Sequence, residues 1–167
     1  LVGRLLIKYG EIEWALCRVV EKLSKDFDGT VKAMYRTRGE LARLQIADAL
    51  AGSHLADDRF GRAFRNTWKA VDQCRSIRNK YAHAHWFSIF DQGIGFYDLE
   101  GIAKTSGRLD MATMKKSFID RDILTDQVRF FGEVQNNLQE MFSHLESRAY
   151  TRGSPGAFSE AISPPTS

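Results

Sequence analysis

An arginine and a histidine five residues apart, in Arg78-Asn79-Lys80-Tyr81-Ala82-His83, are the side chains of this 167-residue chain with the clearest capacity for chemistry. A guanidinium keeps its proton and forks onto a phosphate, whereas an imidazole exchanges a proton near neutral pH. Brought together they make a general acid/base beside a fixed positive charge. That pairing suits cleavage of a phosphodiester without a metal ion.

The elements that carry the pair must bring it together. Arg78 closes a helical run that starts near Asp58, in which Phe60, Phe64, Thr67, Val71 and Cys74 recur at alternating steps of four and three. Four more residues put Arg78 in the middle of that apolar face. A guanidinium there requires an anionic partner, a wet cleft or a subunit interface. His83 lies roughly 140° further round a regular helix and about 7.5 Å along it, so on an unbroken helix the two side chains diverge. They converge only if the helix ends or bends near Tyr81–Ala82, if the arginine stem reaches across, or if a second subunit supplies half of the site.

Arg78-Asn79 followed by His83, just before Trp86, resembles the Arg-x4-6-His signature of HEPN domains. Gly10-x-Ile12-Glu13 in the first helix and Thr37-x-Gly39-x-Leu41 at the start of a later one also sit where many members have similar residues. The resemblance covers roughly residues 5–147. It implies an all-α, up-and-down helical bundle that forms a homodimer, with RNA as substrate and, among toxin or defence members, a protein antitoxin as partner. Arg78 and His83 would be catalytic in a metal-independent endoribonuclease, and no cofactor would be needed. Asn79 would be an accessory residue that orients His83 or bonds the phosphate, and Tyr81 a further auxiliary one. Across a twofold axis two such pairs would face each other, one histidine acting as base and the other as acid. The products would be a 2′,3′-cyclic phosphate and a 5′-hydroxyl. The alternative belongs to another class: a non-catalytic helical homodimerisation module in which Arg78 bridges to a carboxylate and His83 is a polar cap.

Between residues 59 and 80 seven basic residues stand against one acidic residue, Asp72. Arg65, Lys69, Arg75 and Lys80 are the candidates to hold a nucleic-acid backbone; a solvated helix face accounts for the same residues equally well. His83-x-His85 has the spacing of two ligands on a strand, but nothing nearby completes a zinc set, so no metal site is expected. Gly93-Ile94-Gly95 lacks the strand–helix context of a phosphate loop.

A net charge of +3, with 27% charged and 43% hydrophobic residues, permits a nucleic-acid partner without demanding one. Two cysteines, Cys17 and Cys74, both on apolar helix faces, read as buried thiols of a cytoplasmic protein. No apolar run approaches the ~20 residues of a membrane span. The start lacks Met and carries Arg4 and Lys8, so no signal peptide is expected and the chain reads as truncated or processed.

The expected domain covers residues 1–149. Leu5, Tyr9, Ile12, Leu16, Val19 and Leu23 make the stripe of a first helix over residues 1–27, with Trp14 off it and Asp28-Gly29 as its stop. Residues 30–36 read as a short helical turn. Thr37-Arg38-Gly39-Glu40 matches a capping box for a second helix that Gly52 ends. A third helix spans about 57–82, capped by Asp57 or Asp58. An insertion at about 85–119 contains a β-hairpin, His85–Phe90 and Ile94–Leu99, and Met111–Ile119 as a third strand or a loop. Leu124 through Leu145 mark the last helix, starting at Asp120 or Asp122 and ending around Arg148. Residues 150–167, rich in Gly, Ser and Pro, read as a mobile tail.

Overall fold

The computed structural model describes residues 1–56, 58–89, 93–105, 107–108, 110 and 114–150. Among them are six helices: α1 (Val2–Ser24), α2 (Phe27–Arg36), α3 (Glu40–Gly52), α4 (Arg59–Ala82), α5 (Leu99–Ala103) and α6 (Arg121–Tyr150). Three strands, β1 (Ala84–Ile89), β2 (Gly93–Asp98) and β3 (Ser117–Ile119), form one antiparallel sheet in that order. The molecule is a helical bundle with a small sheet, and the hairpin lies before the last helix as the alternation of residues predicts. Residues 57, 90–92, 106, 109, 111–113 and 151–167, and with them the Asp57 cap candidate, the expected hairpin loop and the expected tail, lie outside the described residues.

The long helices bury the stripes read from the sequence. Leu5, Tyr9, Ile12, Leu16 and Val19 of α1 are in the core, as are Phe60, Phe64, Val71 and Cys74 of α4 and Leu124, Phe131, Val134, Leu138 and Met141 of α6. Trp14, off its stripe, stays 44% exposed. Tyr81 of α4 meets Gln127 near the start of α6, while Phe60 stacks on His144 near its end, so these two helices are antiparallel. Lys8 reaches Gln135 and Lys22 reaches Glu146, so α1 and α6 run in the same direction.

Three local expectations are corrected. The first helix stops earlier, at Lys25 in the left-handed conformation (φ 58°), and Asp28-Gly29 lies inside the first turn of α2. There Asp26 is the cap: its carboxylate accepts from the Gly29 amide at 2.8 Å. The stretch read as a short turn is thus a ten-residue helix. The capping box at Thr37 does not form. The Thr37 hydroxyl donates to the Ala33 carbonyl at 2.9 Å, Gly39 occupies the cap position at φ 94°, and the Glu40 carboxylate turns elsewhere. A positive φ of that size suits glycine, which has no Cβ to clash. Finally, Leu99–Ala103 is a helix instead of the end of a strand, capped by Asp98 on the Gly101 amide at 2.9 Å.

α4 begins where Asp58 accepts from the Gly61 amide at 2.8 Å. It ends at Ala82, and His83 takes a non-helical conformation (φ −102°, ψ 7°). The Trp86 indole, from β1, donates to the Tyr81 carbonyl at 3.1 Å and so satisfies one of the groups that a helix end leaves open. Trp86 and Phe96 pack on Tyr81, which fastens the sheet to this end of the bundle.

Candidate functional site

Four elements converge on a cleft of about 920 Å³. α1 gives Leu6, Tyr9, Gly10 and Glu13, and the start of α3 gives Gly39, Glu40 and Arg43. The end of α4 gives Arg78, Asn79 and His83, and α5 gives Leu99 and Glu100. Arg78 and His83 therefore line one space. α4 ends at Ala82, and His83, its cap residue, meets the cleft there. Of the six residues outside the α4 motif that carried the family resemblance, Gly10, Glu13 and Gly39 line the same cleft, whereas Ile12 is in the core and Thr37 and Leu41 are not in the lining.

Arg78 is 28% exposed at its side chain and is held through one nitrogen. Its Nη1 donates to Glu40 Oε1 at 2.7 Å and to Asn79 Oδ1 at 2.9 Å. Asn79 thus orients Arg78, where the sequence suggested His83 or a phosphate as its partner. Deeper, Arg43 Nη1 lies 3.2 and 3.4 Å from the two oxygens of Glu13, and its Nε donates to the Thr37 carbonyl at 3.3 Å. Burial pushes the Glu13 carboxyl above its ordinary value, and the neighbouring Glu40 adds to that, against the opposing pull of Arg43 and Arg78.

Tyr9 is the unsatisfied group. It is 2% exposed and its hydroxyl has no hydrogen-bond partner among the described residues, although it belongs to the lining. Burial foremost, then the Glu13 and Glu40 carboxylates, drives its pKa far up, so it is a neutral donor at any physiological pH. At the rim Glu100 is bonded to Lys104 at 2.8 Å, and that bond holds its carboxyl below the usual range, with a smaller contribution from His83. The lining carries Arg43 and Arg78 against Glu13, Glu40 and Glu100, an excess of acid over permanent base.

The other predicted residues lie elsewhere. Tyr81 is buried, and its hydroxyl donates to Gln127 Oε1 at 2.9 Å, away from the cleft, so its role is to bind α4 to α6. Arg75 is bonded to Asp72 at 2.8 Å. Arg65 and Lys69 line a separate groove with Asp48, Arg62 and Trp68, and Lys80 lines a third with Lys115 and Lys116. One angular sector of α4 is divided among different neighbours as the helix passes them. His83 and His85 join no group of metal-ligating side chains among the described residues.

Sequence reasoning passed over Glu40, Arg43 and Tyr9. Glu40 was absorbed by a cap motif, and Tyr9 by the core stripe of α1. A tyrosine in an otherwise aliphatic stripe was the available signal. No protein-family model, no curated protein and no solved structure matches the chain. No helix among the described residues is long and apolar enough to cross a membrane.

Proposed function

We propose that the cleft is one half of the active site of a metal-independent, HEPN-type endoribonuclease that works as a homodimer. The observation that carries this reading is the presence of Arg78 and His83 in one solvent-open cleft, next to a buried hydroxyl that lacks a partner among the described residues. Arg78, held through Nη1, has Nη2 and Nε left to grip a phosphate oxygen as charge builds in the transition state. His83, exposed at the cap, takes the proton of the ribose 2′-hydroxyl or gives one to the 5′-oxygen. The Tyr9 hydroxyl donates to a phosphate or ribose oxygen. Leu6, Ile7 and Gly10 leave an apolar, partly open face on α1 beside the cleft, suited to a second copy whose histidine completes the acid/base pair. A toxin or defence role, with an antitoxin as partner, belongs to the same reading.

A second reading is favoured by the Arg78–Glu40 bond and the acid excess of the lining. In it the cluster is a structural tie between α3 and α4 in a non-catalytic interaction module. An RNA cleavage assay separates the two. Wild type should release products ending in a 2′,3′-cyclic phosphate, insensitive to EDTA, and Arg78→Ala and His83→Ala should each lower the rate at least a hundredfold. A wild type that cuts nothing, or variants that cut as well as wild type, would leave the module reading.

A further inference from the structure

We infer that the free edge of β3, with the groove beside it, docks an acidic, extended segment of a partner protein by strand addition. β3 pairs with β2 on one side, from Ile94 opposite Ile119 to Phe96 opposite Ser117. On its other side no described strand pairs with it. The backbone groups on that side have no hydrogen-bond partner among the described residues. An unpaired edge of this kind is a template for one more strand.

A groove of about 510 Å³ lies on the bundle side of the sheet, between β3, the end of α4 and the start of α6. Every residue from Lys115 to Ile119 lines it. Successive side chains of a strand point to opposite faces, so a space that touches all of them meets the strand along its edge. Ile77, Ile119 and Ile123 are only half-buried in that lining. They leave apolar surface open where alternate side chains of an added strand would settle.

Charge chooses the occupant. Lys80, Lys115 and Lys116 line the groove, are exposed, and form no ion pair with a described carboxylate. No carboxylate stands among the described residues of the lining. Lysines beside an edge repel the same edge of a second copy, so self-pairing is disfavoured and an acidic strand is favoured. An RNA strand fits less well. Its phosphates only accept hydrogen bonds, whereas a strand edge presents carbonyls as well as amides, and its backbone makes no use of the half-open isoleucines. The inference does not depend on the cleft being catalytic.

The test is fluorescence anisotropy with the full chain and a labelled peptide of alternating Glu and Val, about ten residues long, which supplies both negative charge and an extended apolar face. Wild type should bind it about tenfold more tightly than a Lys-Val peptide of the same length. The Glu-Val peptide N-methylated throughout keeps its charge and loses its amides, so it should bind about tenfold more weakly. Lys115→Gln with Lys116→Gln should weaken binding about fivefold with unchanged thermal unfolding, because both side chains are exposed. Hydrogen exchange of the β3 amides should slow in the complex. No binding by wild type, equal binding of the N-methylated peptide, or unchanged affinity in the lysine variant would overturn the inference. A 2′-O-methyl oligouridylate that binds more tightly than the peptide, and loses affinity in the same variant, would make the groove a nucleic-acid site instead.

Discussion

Nη1 of Arg78 lies 2.7 Å from Oε1 of Glu40, joining the end of α4 to the first turn of α3. Glu40 contributes a tie between two helices and an anchor that holds the guanidinium through Nη1 alone. It also adds a negative charge where a phosphate would bind. In an RNA-cleaving protein these effects separate kinetically. Glu40→Gln should lower kcat about tenfold, since Arg78 loses its fixed orientation, and should lower KM as the acid excess is relieved. Steady-state kinetics on one oligonucleotide reads both, and a variant with unchanged kcat would remove Glu40 from the machinery.

Tyr9→Phe distinguishes a ligand-binding hydroxyl from an incidental one. The hydroxyl is buried and has no partner among the described residues, so its removal should leave thermal stability unchanged or raise it slightly. If the hydroxyl meets substrate, turnover should fall by about tenfold at the same time. A stable variant with full activity would assign Tyr9 to the core alone.

Tyr81→Phe should behave in the opposite way. It leaves the Gln127 carbonyl oxygen buried without its donor, at a cost of about 1 kcal/mol. For a chain of this size that is a fall in Tm of about 3 °C, and under the proposed function cleavage of RNA by the folded protein should be unaltered. Differential scanning calorimetry and the cleavage assay together check it.

Glu13 gives stability a pH dependence of defined sign. Its carboxyl is raised above its ordinary 4.5 in the folded chain, chiefly by burial. Below that ordinary value both states are protonated and the group contributes nothing. As pH rises from there to the elevated folded value, the unfolded chain ionises first, so the folded state holds more protons and stability falls. Above the folded value the loss is constant. Urea unfolding of wild type and Glu13→Gln between pH 4 and 7 should show the difference growing in favour of the variant and then levelling.

The thiols should be inert in the native protein. Both cysteines are buried and free, burial pushes Cys17 up to about 11, and Cys74 is raised further. Ellman's reagent at pH 8 should release no chromophore from the native chain and two equivalents after denaturation. Rapid native labelling would mean that α1 or α4 opens locally.

The sequence by itself determined what repeats over short distances. The stripes of α1, α4 and α6, the hairpin alternation and a cap at Asp57 or Asp58 all follow from side chains a few residues apart. It also placed Arg78 on an apolar face, and hence required an anionic partner or a wet cleft. Only the tertiary structure decided which anion and what surrounds it. Glu40 satisfied a local cap motif on paper, yet a buried-face guanidinium competes for the same carboxylate and offers a stronger, charge-assisted bond. Asp28-Gly29 read as a stop because glycine breaks helices, whereas Asp26 two residues earlier made it part of a first turn. In the sequence Tyr9 reads as a core residue of the α1 stripe and Tyr81 as an auxiliary of the Arg78/His83 motif. Packing gave the Tyr81 hydroxyl a partner on α6 and placed Tyr9 in the cleft lining with no partner for its hydroxyl among the described residues, a difference set by helices far apart in the chain.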